Sequence, residues 1–442
     1  MKGIHMTDNN KPPHFETLAV HAGEQPCPVT GASTLPIYQS ASYVFKDTEQ
    51  AANVFALKEK GFIYSRLTNP TVAALEEKLA ALEGGKGATC VGSGLAASML
   101  ALFTVMNSGD DFIASQKLYG GTCSQFKDSF HRGFNWNCKF VDPRDPDNFK
   151  RALTPKTKAI FIESVSNPEN IVSDMEPIAR VAEDAGIPLI VDNTVPTPYL
   201  CRPFEHGASV ITHSTTKYLS GHGHAMGGAV VDGGTFPWLK HKDRFPALTG
   251  TEHGYRGIVF ARDFADAPFA VHNHAVGLRD LGMTQQPMNA WLTALGMETL
   301  PLRMEAHSRN ALKVAEFLSN HKQIAWVSYS GLRGSPSHVL AKKYMRNGMC
   351  SALFTFGVKG GYEAGVSIVE SVKIFSHLAN LGDTKSLIIH PASTTHAQLS
   401  DEQKLQAGVG PDVVRVSVGL EHPDDLIADL DQALKKSIKL AA

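Results

Sequence analysis

Between Lys86 and Asp232 the chain alternates short apolar runs with helical patterns, and this alternation restricts the fold more than any other feature. The runs are FIAS from 112, CKFV from 138, AIFIESV from 159, PLIVDN from 188, SVITHS from 209 and GGAVVD from 227. Runs this short, rich in Ile, Val and Phe and bounded by turn residues, suit strands covered on both faces. The pattern therefore predicts an α/β fold with a mainly parallel sheet between helices, the amphipathic Met175 to Ala185 being one of them. Ligands bind such sheets beyond the carboxyl ends of the strands. Asn167, Asp192 and the segment Ser214 to Lys217 all lie just past such ends.

A chain of 442 residues is too long for one growing core, so two domains of unequal size are expected. Residues 1–68 are rich in Pro, Thr, Ser and Gly, without sustained periodicity, and read as an arm lying on something else. Order begins where Asn69 can cap a helix opened by Pro70. Val72, Leu75, Leu79 and Leu82 share one face of it before Gly84-Gly85 ends it. A large domain is expected over 69–287, including a long connection from Gly233 to Gly277 that reads as a functional loop. A smaller C-terminal domain follows over 288–442. It has a helical region near 288–320, a strand at FTFGVK from 354, a helix near 362–372 and a strand at VVRVSV from 413. A closing helix from Pro423 carries Leu426, Leu430 and Leu434 on one face.

A net charge of -1 with no long run of one sign suggests no nucleic-acid partner. The longest strongly apolar stretch, Leu95 to Met106, is far short of the roughly 20 residues a membrane span requires and reads as a buried helix. The N-terminus shows no basic segment followed by an apolar one, so a cytoplasmic protein is expected. Six cysteines without C-x-x-C spacing read as free thiols. The pairs His222/His224 and His390/His396 lack a nearby carboxylate or thiol at ligand spacing, so no metal is expected.

The segment His213 to His222, HSTTKYLSGH, places Lys217 shortly after a strand, among hydroxyl side chains and close to glycines. A lysine that forms a Schiff base must be partly desolvated to be nucleophilic, and neighbouring hydroxyls can hold a phosphate. Asp192 ends an apolar strand, where a carboxylate is costly unless paired, and the protonated nitrogen of a pyridine ring is a suitable partner. Gly92-Ser93-Gly94-Leu95 precedes a helix whose amides can cradle a phosphate. Extended to Ala97 it also matches G-x-G-x-x-A, but the next strand ends in Ser115-Gln116-Lys117, without the acid that binds a ribose. A nicotinamide enzyme is therefore a distant alternative, as is a non-catalytic binding protein. Tyr119, beside Gly120-Gly121, offers a face for a flat heteroaromatic ring. Arg415 and Ser417 share one strand face, and a guanidinium there suits a carboxylate as well as solvent.

With these residues in view, the chain resembles the Cys/Met-metabolism PLP-dependent family, and within it most of all the O-acetylhomoserine sulfhydrylases. The likeness runs through TLAVHAGEQP at 17, PIYQSASYVF at 36, YSRLTNPT at 64, GSGLAAS at 92, LYGGT at 118 and ESVSNP at 163. It continues through VDNTVPTPYL at 191, STTKYLSGHG at 214, GLRDLG at 277, SLIIHPASTTH at 386 and VVRVSVGLE at 413. STTKY together with VDNT is the specific combination. The resemblance implies the fold type I, aspartate aminotransferase-like architecture with pyridoxal 5′-phosphate (PLP) as cofactor. Lys217 would carry PLP and shuttle protons, Asp192 would bind its ring nitrogen and Tyr119 would stack on the ring. Gly94, the Leu95 amide, Ser214 and Thr216 would hold the phosphate, joined by Tyr64 and Arg66 from a neighbouring subunit. Asn167, Ser393 and Arg415 would position the cofactor oxygen and the substrate carboxylate.

The implied reaction is γ-replacement on O-acetylhomoserine by sulfide or methanethiol, in a homotetramer of two active pairs. Cystathionine γ-synthase, O-succinylhomoserine sulfhydrylase and methionine γ-lyase are the near alternatives. Gly121 stands where γ-lyases typically carry Cys, Leu95 where related sulfhydrylases often have Gln, and Cys123 where an aromatic is common.

Overall fold

The computed structural model describes residues 13–397 and 400–441. Seven strands form the larger sheet: β1 (Gly87–Val91), β2 (Asp111–Ser115), β3 (Asn137–Val141), β4 (Thr157–Glu163), β5 (Leu189–Asp192), β6 (Val210–His213) and β7 (Gly228–Asp232). Their order is β1-β7-β6-β5-β4-β2-β3. Neighbours from β3 to β6 are parallel, and β7 runs antiparallel to both β6 and β1. Only β7 is reversed, so the carboxyl ends of the other six share one edge. β4, β5 and β6 are buried almost throughout. The alternating pattern anticipated six of the seven strands, and β1 is the one it missed. Gly87 and Thr89 dilute that short run, and its pairing with β7 across the sheet is what makes it a strand.

The Pro70–Glu83 helix begins as its letters suggest. The Asn69 side chain accepts from the amides of Thr71 and Val72, and Gly84 closes the helix at φ 78. Leu75, Leu79 and Leu82 are fully buried. Met175–Asp184 forms the helix leading to β5, and the Leu95 stretch becomes the Gly94–Phe103 helix.

The smaller sheet comprises β8 (Ile324–Ser328), β9 (Leu353–Val358), β10 (Ser376–His377), β11 (Leu387–Ile389) and β12 (Val413–Ser417), ordered β10-β11-β12-β9-β8. Two helices, Pro287–Glu298 and Leu300–Ser319, replace the single helical region near 288–320. They meet at Thr299, just before Pro301, whose ring and missing N–H do not suit a helix interior. Helices Gly361–Ser371 and Pro423–Ala441 complete this part.

Two segments differ from the expectation for loops. The arm holds short helices at Phe15–His21 and Thr48–Phe55, and Phe15 packs edge-on against Tyr199 at 5.2 Å. The 233–277 connection is a covering layer of short helices with its own buried aromatics, Trp238, Phe245, Phe260 and Phe269. The buried Asp232 carboxylate fastens it by accepting from the amides of Gly234, Phe269 and Ala270.

The arm's last residues are held by His274. Its Nδ1 faces the Leu67 carbonyl at 2.9 Å, and its Nε2 faces the Ala88 carbonyl at 3.3 Å and Glu76 Oε1 at 3.4 Å. Acceptors at both ring nitrogens require both to carry hydrogen, so this is an imidazolium. Burial opposes the charge, but Glu76 and the two carbonyls outweigh it and raise the group to about 9. A histidine whose folded pKa lies above its unfolded value of about 6.5 stabilises fully below 6.5 and ceases to do so as pH rises through about 9. Thermal melts of His274→Gln should therefore show a lower Tm than the parent at pH 6.5 and a weaker decline from there to pH 9.5.

Candidate active site

The shared carboxyl edge of the large sheet gathers most of the residues singled out above. Glu163 and Asp192 end β4 and β5 directly opposite each other. Both are pushed towards the neutral acid, Glu163 by burial and then by Asp192, and Asp192 by burial, against hydrogen bonds from Thr194 and Thr212. Asp192 Oδ1 accepts from the Thr194 amide at 2.9 Å, and its Oδ2 lies 3.4 Å from the Thr212 hydroxyl. Glu163 braces two loops at once, with Oε1 accepting from the Tyr119 amide at 2.6 Å and Oε2 from the Asn167 amide at 2.9 Å. Nothing in the sequence separated Glu163 from an ordinary strand-end acid, and only the in-register pairing reveals its position.

The Lys217 amine donates to Asn380 Oδ1 at 2.5 Å. Burial, and then the charge of Arg415, lower it to about 8, so a useful fraction is the free base near neutrality. Arg415 on β12 is buried and lowered to about 10 by that burial. It donates to Asn167 Oδ1 at 3.2 Å and to the Asn380 carbonyl at 3.1 Å. No carboxylate among the described residues pairs with it. Because a buried cation is costly without a counter-charge, this one is poised for an anionic ligand. Asn380 was missed in the sequence because it lies in an irregular loop with no motif of its own. Gly382 presses that loop onto the lysine turn: a Cβ there would stand 2.6 Å from the Tyr218 amide nitrogen.

Gly94 opens its helix against Ser214, and a Cβ at Gly94 would lie 2.7 Å from the Ser214 Cβ. The turns after β1 and β6 therefore touch. The first-turn amides of Gly94 and Leu95 have no intrahelical acceptor, while Ser93 caps Ala96. The Ser214 amide donates to the Thr194 hydroxyl at 2.8 Å. The Thr216 hydroxyl donates to the Gly227 carbonyl and accepts from its amide. Tyr119 is 49% exposed, and its ring lies so close to Gly121 that a Cβ there would meet it at 2.5 Å. A side chain at 121, such as the cysteine of γ-lyases, would have to displace that ring.

Three of the expected residues lie apart from this group. Ser393 engages His390, through its side-chain Nδ1 and its carbonyl. Arg66 donates to the Arg279 carbonyl and stacks on Tyr64 at 5.4 Å, and Thr284 donates to the Arg66 carbonyl. No described hydrogen bond or ion pair joins Tyr64 or Arg66 to Lys217 of the same chain. The rings of His222 and His224 lie 5.2 Å apart, tilted by 36°. Among the described residues no cluster of three His, Cys, Asp or Glu could hold a metal ion.

The donor set fits PLP: an amine of lowered pKa, a carboxyl on the neighbouring strand, a glycine turn with unpaired amides, and a buried guanidinium. Fold and site together define a PLP-dependent enzyme of fold type I. The chain belongs to the family described as Cys/Met metabolism PLP-dependent enzymes, whose model matches residues 16–435. It is 46% identical over 441 residues to the O-acetyl-L-homoserine sulfhydrylase of Leptospira meyeri, with 98% of each chain covered. It is 49% identical over 422 residues to O-acetyl-L-homoserine sulfhydrylase 1 of Thermus thermophilus, covering 95% of this chain and 99% of that one. A crystal structure from Campylobacter jejuni, described as an O-acetylhomoserine (thiol)-lyase with N′-pyridoxyl-lysine-5′-monophosphate, matches with a TM-score of 0.92. It is 43% identical, with 96% of this chain and 100% of that one covered.

Replacing Gly94 with Ala favours the helix but sets a methyl against Ser214. Gly94→Ala should still fold, with a lower Tm for the cofactor-free protein because the methyl displaces Ser214, and should bind PLP at least tenfold more weakly by equilibrium dialysis.

Proposed function

We propose that this enzyme catalyses γ-replacement on O-acetyl-L-homoserine, exchanging acetate for sulfide or methanethiol to give homocysteine or methionine. The observation that supports it most directly is the Lys217 amine, lowered to about 8 and beside the unpaired Arg415, in a chain 46% identical to a sulfhydrylase over nearly its whole length. When bound, PLP supplies an electron sink for negative charge developing on the substrate carbons.

The chain's own groups do the rest. Arg415 binds the substrate carboxylate with Asn167 beside it, and Ser393 is assigned to the same carboxylate by the family resemblance alone. Lys217 holds the cofactor, and once freed its amine takes the α-proton and then carries a β-proton. Acetate departs from the γ-carbon and sulfur adds there. Asn380 keeps the free amine aimed during these transfers. Asp192 holds the ring nitrogen and Tyr119 covers the ring, while Gly94, Leu95, Ser214 and Thr216 take the phosphate.

The proposed domain division is an arm over 1–68, a cofactor domain over 69–287 and a small domain over 288–442. In this reading the arm lies on a second copy, where Tyr64 and Arg66 complete the neighbouring site, within a cytoplasmic tetramer of two active pairs. The arm's exposed apolar side chains support this, with Val44 100%, Val29 89% and Phe55 58% exposed.

Purified enzyme given O-acetylhomoserine should form homocysteine only when sulfide is present, and Lys217→Ala should reduce that rate at least a thousandfold while remaining folded. Product without sulfide, or near-normal turnover by the variant, would sink the proposal. Sedimentation should find the activity in tetramers; an active monomer would refute the shared site.

A further inference from the structure

The run SLIIHPASTTH ends on a histidine, His396, to which the reaction above gives no role. β11 pairs with β12 so that Ile389 stands opposite Arg415, and the chain then turns through Pro391–Ser393. The His396 amide donates to the Pro391 carbonyl at 3.0 Å, which closes the turn. The imidazole meets the glycine beside Tyr119, where a Cβ at Gly120 would stand 3.1 Å from His396 Nε2. The Tyr119 and Asn167 amides share the Glu163 carboxylate, and Asn167 Oδ1 accepts from Arg415. His396 thus reaches this cluster from the side of the smaller sheet.

The two ring nitrogens are unequal. Nδ1 meets the Thr395 hydroxyl at 2.8 Å, whereas no hydrogen bond or ion pair among the described residues reaches Nε2. The residue is only half-buried, so a small molecule can approach that atom. Burial, and then the charge of Arg415, lower the group below its ordinary value, and the neutral ring can accept a proton. Sulfur attacks as the thiolate. Sulfide is largely ionised just above neutral pH, but an alkanethiol such as methanethiol keeps its proton and needs a base. Lys217 is committed to the α- and β-protons.

We propose that His396 is a further catalytic residue, whose Nε2 takes the proton of an alkanethiol as the sulfur adds to the γ-carbon. The inference rests on the γ-replacement reading above. Thr395 takes the Nδ1 hydrogen, which leaves the lone pair on Nε2. The S–H bond breaks, its proton passes to Nε2 and its electron pair forms the new C–S bond. Lys217 returns the β-proton to the carbon pair this displaces. His396 then gives its proton to water, so thiol and ester become thioether and acetic acid with no change of oxidation state.

The test gives full-length holoenzyme O-acetylhomoserine with either sulfide or methanethiol at about pH 8, where sulfide is mostly ionised and methanethiol is not. In His396→Gln the ratio of kcat/KM for methanethiol to that for sulfide should fall roughly a hundredfold, the lower end of what a positioned base contributes. An unchanged ratio, however far both rates fall, would reduce His396 to a structural side chain and overturn the proposal, as would a parent unable to use methanethiol. A parent that forms product from neither thiol would instead overturn the γ-replacement reading. Should this variant fail to fold, His396→Asn carries the test. Should both fail, the parent decides: the solvent deuterium isotope effect on kcat/KM should be larger with methanethiol than with sulfide, and equal effects would overturn the proposal.

Discussion

The site depends on one uncomfortable arrangement: the carboxyls of Glu163 and Asp192 side by side at the ends of adjacent parallel strands. Two buried acids this close resist joint ionisation. The surrounding groups divide their roles. Glu163 takes backbone amides from the turns bearing Tyr119 and Asn167, and so fixes where those turns stand. Asp192 accepts instead from the Thr194 amide and the Thr212 hydroxyl, close to its own strand end.

From Glu163 the contacts run on without a break. Asn167 accepts from Arg415, Arg415 donates to the Asn380 carbonyl, and the Asn380 side chain accepts from Lys217. This chain of polar contacts crosses from the large sheet to the small one and back. It explains why the amine is desolvated yet not orphaned, and why the 380–382 loop needs a glycine against the lysine turn. Arg415 sits on the central strands of the small sheet, paired with both β9 and β11, so the most demanding charge rests on the most rigid part of that sheet.

The outer layers serve the same end. The 233–277 connection covers β7 and β1 and is pinned by Asp232, while His274 at its end grips Leu67, next to Arg66. Tyr64 and Arg66 are thereby presented on a supported segment, and the apolar side chains before them remain uncovered within one chain.

Much of this was legible in the letters. The β-α alternation comes from local burial pattern, and period and length alone reveal it. Asn69 with Pro70, and Gly84 at the far end, are helix punctuation that acts within a turn of itself. Lys217, Asp192 and Gly94 could be singled out because their chemistry is unusual for their local setting. The short β1, β8, β10 and β11 and the arm helices were not legible, since each owes its form to partners distant in the chain. For the same reason no motif marked Glu163, Asn380 or His274 as special. The sequence by itself determined the kind of sheet, the candidate lysine and the glycine turn, because these depend on neighbours in the chain. Only the tertiary structure decided which acids face each other, which cation is left without a counter-charge and which histidine is locked between acceptors, because charge and desolvation depend on what packs in space.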